Sequence, residues 1–223
     1  MLKIIVLAAG MSRRMGVLNK LLLPFGSSTI LETTVENIIA ANIGEVFVVV
    51  GHEADVVKST LENLKTRIAL ELTTHNPQLK TQMPPLSIIE NFAFKNGMTT
   101  SIQTGIRAAQ LTTQNSKIQT NFMVCLADMP WIAVAEYRLL ANAFATQYVD
   151  NQRVIVQPTF GGRRGNPTIF SNIYSNIIRD LKNTEGAKSI IEENLQELCL
   201  VEMPTTSVLR DVDSPSDYEK LTD

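Results

Sequence analysis

The chain has 223 residues, 44% of them hydrophobic and 19% charged, which is enough to bury one substantial core in a single domain over residues 1–223. A net charge of −2 excludes a general nucleic-acid or membrane-surface binder, since those carry a broad basic field. No apolar run reaches the roughly 20 residues that cross a bilayer. Met1-Leu2-Lys3 leads straight into apolar sequence with no leader pattern, so the expected location is cytoplasmic. Cys125 and Cys199 stand far apart in apolar segments and read as small buried hydrophobes, without metal-ligand spacing or a disulfide framework.

Residues 4–7 form an apolar run without alternation, the pattern of a strand buried on both faces. It ends in Ala8-Ala9-Gly10, small residues that let the backbone turn and approach a ligand, followed by Ser12, Arg13, Arg14, Gly16 and Lys20. A buried strand opening into a small-residue loop with three cations is suited to a polyphosphate. A Walker loop is excluded because Val17, not Lys, follows Gly16, and Gly10-Met11-Ser12 breaks the dinucleotide fingerprint. Leu21-Leu22-Leu23-Pro24 returns to the core. Thr29, with Glu32 three residues on, predicts a capped helix to about residue 41.

Residues 45–50 read as a second buried strand, and a helix from about residue 54 carries Val57, Leu61, Leu64 and Ile68 at helical spacing. Residues 73–85 hold three prolines and read as a long exposed loop, an insertion. A short strand over 86–90 and a loop over 91–97 precede a helix over 99–111. The hydroxyl-rich start of that helix, Thr99-Thr100-Ser101, serves either an anion or base edge or an ordinary cap. Residues 122–126 form another buried strand, delivering Asp128 just past its carboxyl end, where ligands of open α/β sheets sit. Asp128 reads as an oxygen ligand for Mg²⁺, with a cap of the helix over 132–145 as the competing role. Two strands over 153–157 and 166–170 flank a glycine- and arginine-rich tip with Arg163 and Arg164, shaped to close over an anionic second substrate or to stand as an exposed hairpin. Helices over 171–181 and 187–195, a strand over 198–203, and a short helix capped by Ser214 complete the chain. Asp211 and Asp213 precede that cap, and they serve either as a second metal ligand, one or the other, or in the cap and turn themselves. Strands alternating with helices predict an α/β fold with a mostly parallel sheet.

Four blocks, LAAGMSRRMGVLNKLLLPFG, GMTTSIQTGI, LADMP, and GGRRGNPTIF with GAKSII and DVDSPSDY, span nearly the whole chain. In them the chain resembles the MobA-like nucleotidyltransferases, especially the branch containing molybdopterin cytidylyltransferase. The resemblance implies a Rossmann-like, GT-A-like nucleotidyltransferase fold in three layers, with an NTP held along Leu7, Ala8, Ala9, Gly10, Ser12, Arg13, Arg14, Gly16 and Lys20 and by Ser101. It implies Arg14 and Lys20 on the phosphates, Mg²⁺ on Asp128 and Asp213, and an acceptor against Arg163, Arg164 and Asn166. Ala9, where guanylyl members carry a glycine, tilts the base toward cytosine. The implied partners are CTP and a phosphorylated acceptor, molybdopterin, with transient contact to a molybdoenzyme or its chaperone, and no nucleic acid or membrane. Asn166 stands where many relatives have His, which leaves acceptor recognition open. A sugar-phosphate nucleotidyltransferase and a nucleotide-binding cofactor chaperone are the competing readings; an NAD-dependent oxidoreductase lacks its glycine fingerprint. The two histidines, His52 and His75, lie outside every motif. That suits a phosphate acceptor, whose second pKa near 6 makes it largely a dianion at neutral pH without a general base.

Overall fold

The computed structural model describes residues 2–16, 18–75, 85–112 and 120–219. In chain order its elements are β1 (Leu2–Ala8), a small hairpin of β2 (Pro24–Phe25) and β3 (Ser28–Thr29), α1 (Ile30–Ala41), β4 (Glu45–Val50), α2 (Ala54–His75), β5 (Leu86–Glu90), α3 (Met98–Leu111), β6 (Asn121–Leu126), α4 (Val134–Asp150), β7 (Ile155–Phe160), β8 (Arg163–Arg164), β9 (Thr168–Phe170), α5 (Tyr174–Asp180), α6 (Lys188–Glu193), β10 (Leu198–Glu202) and α7 (Pro215–Glu219). The main sheet runs β10-β7-β9-β6-β1-β4-β5, with β8 on the outer part of β7. Strands β6, β1, β4 and β5 are mutually parallel, and β9 is antiparallel to both β6 and β7. This is the mixed α/β fold with a mostly parallel sheet that the alternation of patterns predicts.

Alternation along the strands divides the interior into two cores. Ile4, Val6 and Ala8 of β1, with Val46, Val48 and Val50 of β4, point to the side of α1, α2 and α4. Ile5 and Val49 point to the other side, against Ile102 and Ile106 of α3 and Tyr174 and Ile178 of α5. A strand buried on both faces must be apolar at successive positions, which is why these runs lack polar alternation. Gly105 lets α3 close on β1, since a Cβ there would sit 2.4 Å from Ile5 Cγ2. The Thr29 cap of α1 forms as predicted: Thr29 Oγ1 accepts the Glu32 N–H at 3.2 Å and Glu32 Oε2 accepts the Thr29 N–H at 3.1 Å.

Three sequence expectations are revised. Helix α2 continues to His75, so the stretch read as a loop from residue 73 begins as helix; residues 76–84 lie outside the described residues. The first strand of the late pair runs Ile155–Phe160 rather than 153–157 and turns back through Gly161 and Gly162, with φ of 57° and 76°, so that Arg163 and Arg164 stand exposed on β8, the hairpin reading of that tip. Two successive positive φ values give the turn a twist that matches the flanking strands. Cys125 is buried as expected, but Cys199 is only half-buried.

After β10 the chain runs back across the sheet's carboxyl end as a strap over residues 203–214. Met203 N–H donates to Thr159 O (2.8 Å), Asn166 N–H to Val208 O (3.0 Å) and Val212 N–H to Asp128 O (3.1 Å). Glu136, buried in the first turn of α4, anchors the strap's middle: its Oε1 accepts the hydroxyls of Thr205 (2.8 Å) and Ser207 (2.7 Å), while its Oε2 accepts the Ala133 N–H (2.8 Å). Glu136→Ala is expected to lower stability by about 2–3 kcal/mol, since it leaves buried donors without partners. Urea unfolding checks this, and a loss under about 0.5 kcal/mol would mean that water replaces the carboxylate.

Candidate active site

Chain order in the sheet reverses at β1: β4 and β5 extend to one side, and β6 returns to the other. Ligand crevices of open α/β sheets form at such reversals, beyond the strands' carboxyl ends. Here the crevice is a cavity of about 240 Å³ lined by Leu7, Ala9, Gly10, Lys20, Leu21, Met98, Ser101, Leu126, Asp128, Asp211 and Asp213. Residues 180 or more apart in sequence are thereby brought to one place.

The first loop folds on itself before it meets anything else. Ser12 adopts φ 48° and Gly16 φ 70°, which close a short 3-10 turn over Arg13–Met15. Ser12 Oγ accepts the Lys20 N–H at 3.3 Å, and Met15 is buried beneath the turn. Asn19 caps the next turn through the Leu21 N–H, 3.2 Å from its Oδ1, so that Leu21 anchors the core and Lys20 faces the cavity. Ala8 is buried beneath the loop, Arg13 stands exposed, and neither lines the cavity, nor do Ser12 and Gly16.

Lys20 Nζ makes ion pairs with Asp128 Oδ2 and with Asp213 Oδ1, the latter at 2.7 Å. Arg14, largely exposed, holds the other oxygen of Asp213 at 2.6 Å. Val212 is fully buried, and its neighbours Asp211 and Asp213 both line the cavity. Three carboxylates thus meet two cations. Burial pushes the Asp128 carboxyl up; the attraction of Lys20 pulls it down, Asp213 pushes it up again, and it ends above the usual carboxylate range. Asp211, although exposed, is raised by partial loss of hydration against the cavity wall and by repulsion from Asp213 and Asp128. Burial opposes the Lys20 ammonium, but Asp128 and Asp213 outweigh it and raise its pKa. Loss of hydration is the first cause at both carboxylates and their mutual repulsion adds to it, whereas at Lys20 the attraction of those carboxylates outweighs burial.

Asp128 Oδ1 is buried and has no hydrogen-bond partner among the described residues. Among the described residues no three His, Cys, Asp or Glu side chains are arranged to hold a metal by themselves. The donor set therefore fits a hard divalent cation shared with substrate oxygens, the manner in which Mg²⁺ is commonly held, and not an all-protein cage. Asp128 does not cap α4: the helix begins at Val134, and the N–H of Ala133 just before it goes to Glu136 Oε2 from within the helix.

A second cavity of about 340 Å³ adjoins the first, sharing Met98 and Leu126 as its wall. Its floor is apolar, from Ile102, Val124, Phe170 and Ile191, and its polar groups are of mixed charge: Arg164 and Lys188, Glu185 and Glu192, with Gln157, Asn166 and Thr168. Arg164 and Asn166 of the expected acceptor residues line it, whereas Arg163 does not: neighbours on a strand point to opposite faces. The hydroxyl-rich start of α3 is mostly engaged in tying loops together. Thr99 Oγ1 donates to Asn183 Oδ1 at 2.6 Å and accepts the Gly186 N–H at 2.9 Å, and the Met98 N–H goes to Thr184 O at 3.0 Å. Sequence reasoning missed Asn91, which holds Thr100 and Ser101; His52, read as a turn residue after the second strand, does sit in a turn, where its N–H donates to Ala9 O at 3.4 Å. Asn91 follows directly on the end of β5, which is the signal that would have found it. Arg210 stacks on Trp131 with its guanidinium carbon 4.1 Å from the ring centroid, holding the strap beside Asp211.

A model of the MobA-like NTP transferase domain matches residues 4–198. The chain belongs to that family. Within it, the chain is similar to nicotine blue oxidoreductase of Paenarthrobacter nicotinovorans, 24% identical over 97% of this chain and 94% of that protein. Among solved structures the fold is similar to that of Rv0371c from Mycobacterium tuberculosis H37Rv, with TM-score 0.71, 19% identity, and coverage of 99% of this chain and 97% of the other. Rv0371c has also been solved in complex with manganese. A nucleotidyl transferase from Methanothermobacter thermautotroptrophicus is similar with TM-score 0.70, 20% identity, and coverage of 99% and 95%. The family match thus extends over the first loop, α3, Asp128 and the whole lining of the second cavity, and ends at the start of β10, before the strap that brings Asp211 and Asp213 to the first cavity. No helix among the described residues is long and apolar enough to cross a membrane.

Proposed function

We propose that this chain transfers a nucleoside monophosphate, CMP from CTP, to a phosphate-bearing acceptor, molybdopterin, and releases pyrophosphate. The observation that carries the reading is the meeting of Lys20, Asp128 and Asp213 at the mouth of the β1 loop, with one Asp128 oxygen buried and unpartnered among the described residues. Asp128 and Asp213 would hold a divalent cation, Mg²⁺, with Asp211 alongside. When bound, that ion supplies Lewis-acid polarisation of the α-phosphate and neutralises charge on the triphosphate.

The chain's own residues do the rest. Asp213 occupies Lys20 and Arg14 as a phosphate would, so the triphosphate replaces it on both cations. This frees the carboxylate and leaves Lys20 to stabilise the departing pyrophosphate. The acceptor phosphate is a dianion at neutral pH and needs no base; positioning and charge neutralisation are the catalytic tasks. Arg164 and Asn166 in the adjoining cavity orient the acceptor, whose body packs on the apolar floor. Cytosine rests on Ala9, and molybdopterin on the block resemblance.

Arg14→Ala is expected to lower kcat on the order of 10²–10³-fold, as loss of a charge partner in the transition state does. Steady-state pyrophosphate release from CTP with Mg²⁺ and a phosphorylated acceptor measures it. A mutant changed in KM alone would place Arg14 in ground-state binding. The likeness to nicotine blue oxidoreductase favours a second reading, a redox function on this fold. Pyrophosphate release without any redox cofactor supports the transferase. Cofactor-dependent reduction of an acceptor without pyrophosphate release would replace it.

A further inference from the structure

Asn91 follows β5 at the sheet's carboxyl end and is buried, at 3% exposure. Every polar group it has is spent. Its N–H donates to Val50 O at 2.8 Å, its Oδ1 accepts the Ala93 N–H at 3.0 Å, and its Nδ2 donates to Thr100 Oγ1 at 2.9 Å and Ser101 Oγ at 3.0 Å. Because Ala93 needs an acceptor, the amide can only present its NH₂ to the two hydroxyls.

A serine hydroxyl has one proton and two lone pairs. At Ser101 Asn91 takes a lone pair, so the proton must point elsewhere. Thr100 and Thr104, on the same helix, spend theirs on the carbonyls of Gly97 (2.9 Å) and Thr100 (2.8 Å). The Ser101 proton has no acceptor among the described residues, and Ser101 lines the cavity with Ala9 and Gly10. Ser101 reaches that cavity from α3, with Asn91 behind it at the end of β5, and Asp128 reaches it from β6, on the other side of β1. The carboxylates and Lys20 thus serve the phosphate end, and Ser101 the opposite end.

We propose that Asn91 is a positioning residue that holds the Ser101 hydroxyl as a hydrogen-bond donor into the cavity, where it meets an acceptor atom of the base, a carbonyl oxygen or an unprotonated ring nitrogen. The inference rests on the nucleotide reading above. It adds to that reading the polarity of the contact and the side chain that sets it.

The test is calorimetric binding of CTP, UTP, GTP, ATP and inorganic tripolyphosphate, each with Mg²⁺, to wild type, Asn91→Asp, Ser101→Ala and the double variant. A carboxylate at 91 cannot donate, so the Ser101 proton turns onto it and leaves the cavity. Each single variant is expected to weaken the preferred NTP about tenfold. The double variant should be no weaker than either single one, and tripolyphosphate binding should be unchanged. In turnover KM should rise while kcat stays within about twofold. Undiminished affinity in Ser101→Ala, additive losses in the double variant, or an equal loss for tripolyphosphate would each overturn the proposal. A wild type that binds tripolyphosphate but no NTP would overturn the nucleotide reading itself. Thermal melts accompany each variant; should Asn91→Asp not fold, Asn91→Ser, too short to reach Ser101, takes its place with the same expected result.

Discussion

Asp128→Ala is expected to reduce pyrophosphate release on the order of 10³-fold or more at every Mg²⁺ concentration, since a metal at the reacting phosphate is worth several kcal/mol. The loss should not be recovered by raising Mg²⁺, because Asp213 alone is exposed to water and already shared between Lys20 and Arg14. The same change should not destabilise the metal-free fold. Asp128 is buried, its carboxyl is raised, and one of its oxygens has no partner among the described residues, so the folded chain holds it at a cost. A mutant with near-wild-type turnover would move the metal elsewhere, and a mutant that failed to fold would show Asp128 to be a structural ion-pair partner first.

Lys20→Met, by contrast, should destabilise the fold. Removing the ammonium leaves Asp128 buried beside Asp211 and Asp213 with no neutralising neighbour, and breaking a buried pair from one side costs on the order of 3–5 kcal/mol. The Asp128 pKa is already raised in the fold and rises further without Lys20. A carboxyl whose folded pKa lies above its unfolded one destabilises the fold above that folded pKa, and the penalty fades as pH falls through it. The defect should therefore be large at pH 8 and small at pH 5 in urea unfolding with a chelator present. Adding Asp128→Asn should restore most of the lost stability while activity stays absent. An equal defect at both pH values, with no rescue, would mean that the Lys20 stem, and not its charge, holds the loop.

Both variants probe one arrangement, in which the groups that would hold phosphate and those that would hold metal neutralise each other in the free protein. Removing Lys20 is expected to destabilise the fold and removing Asp128 is not, while both abolish turnover, so stability and activity together separate a catalytic cluster from a structural one.

The amino-acid sequence by itself determined the local elements, because burial on both faces demands the apolar runs of β1, β4 and β6, and because Thr29 and Glu32 satisfy a helix end within four residues. Through the blocks that resemble the MobA-like family it also pointed to a set of site residues, of which Leu7, Ala9, Gly10, Lys20, Ser101, Asp128 and Asp213 line one cavity, while Ala8, Ser12, Arg13, Arg14 and Gly16 of the same set do not. Only the tertiary structure decided how they meet. The switch in strand order at β1 sets Asp128 beside Lys20, and the strap returns Asp213 across 193 positions to reach the same ammonium. The turn at Gly161 and Gly162 places Arg163 and Arg164 on a strand, so that Arg164 alone of the two lines the second cavity. Asn91 and Glu136 were silent in sequence because their parts depend on partners supplied by other elements, the hydroxyls of α3 and of the strap. Periodicity and caps are short-range consequences of backbone geometry and can be read along the chain, whereas a charge cluster exists only once the packing of the sheet has fixed the distances.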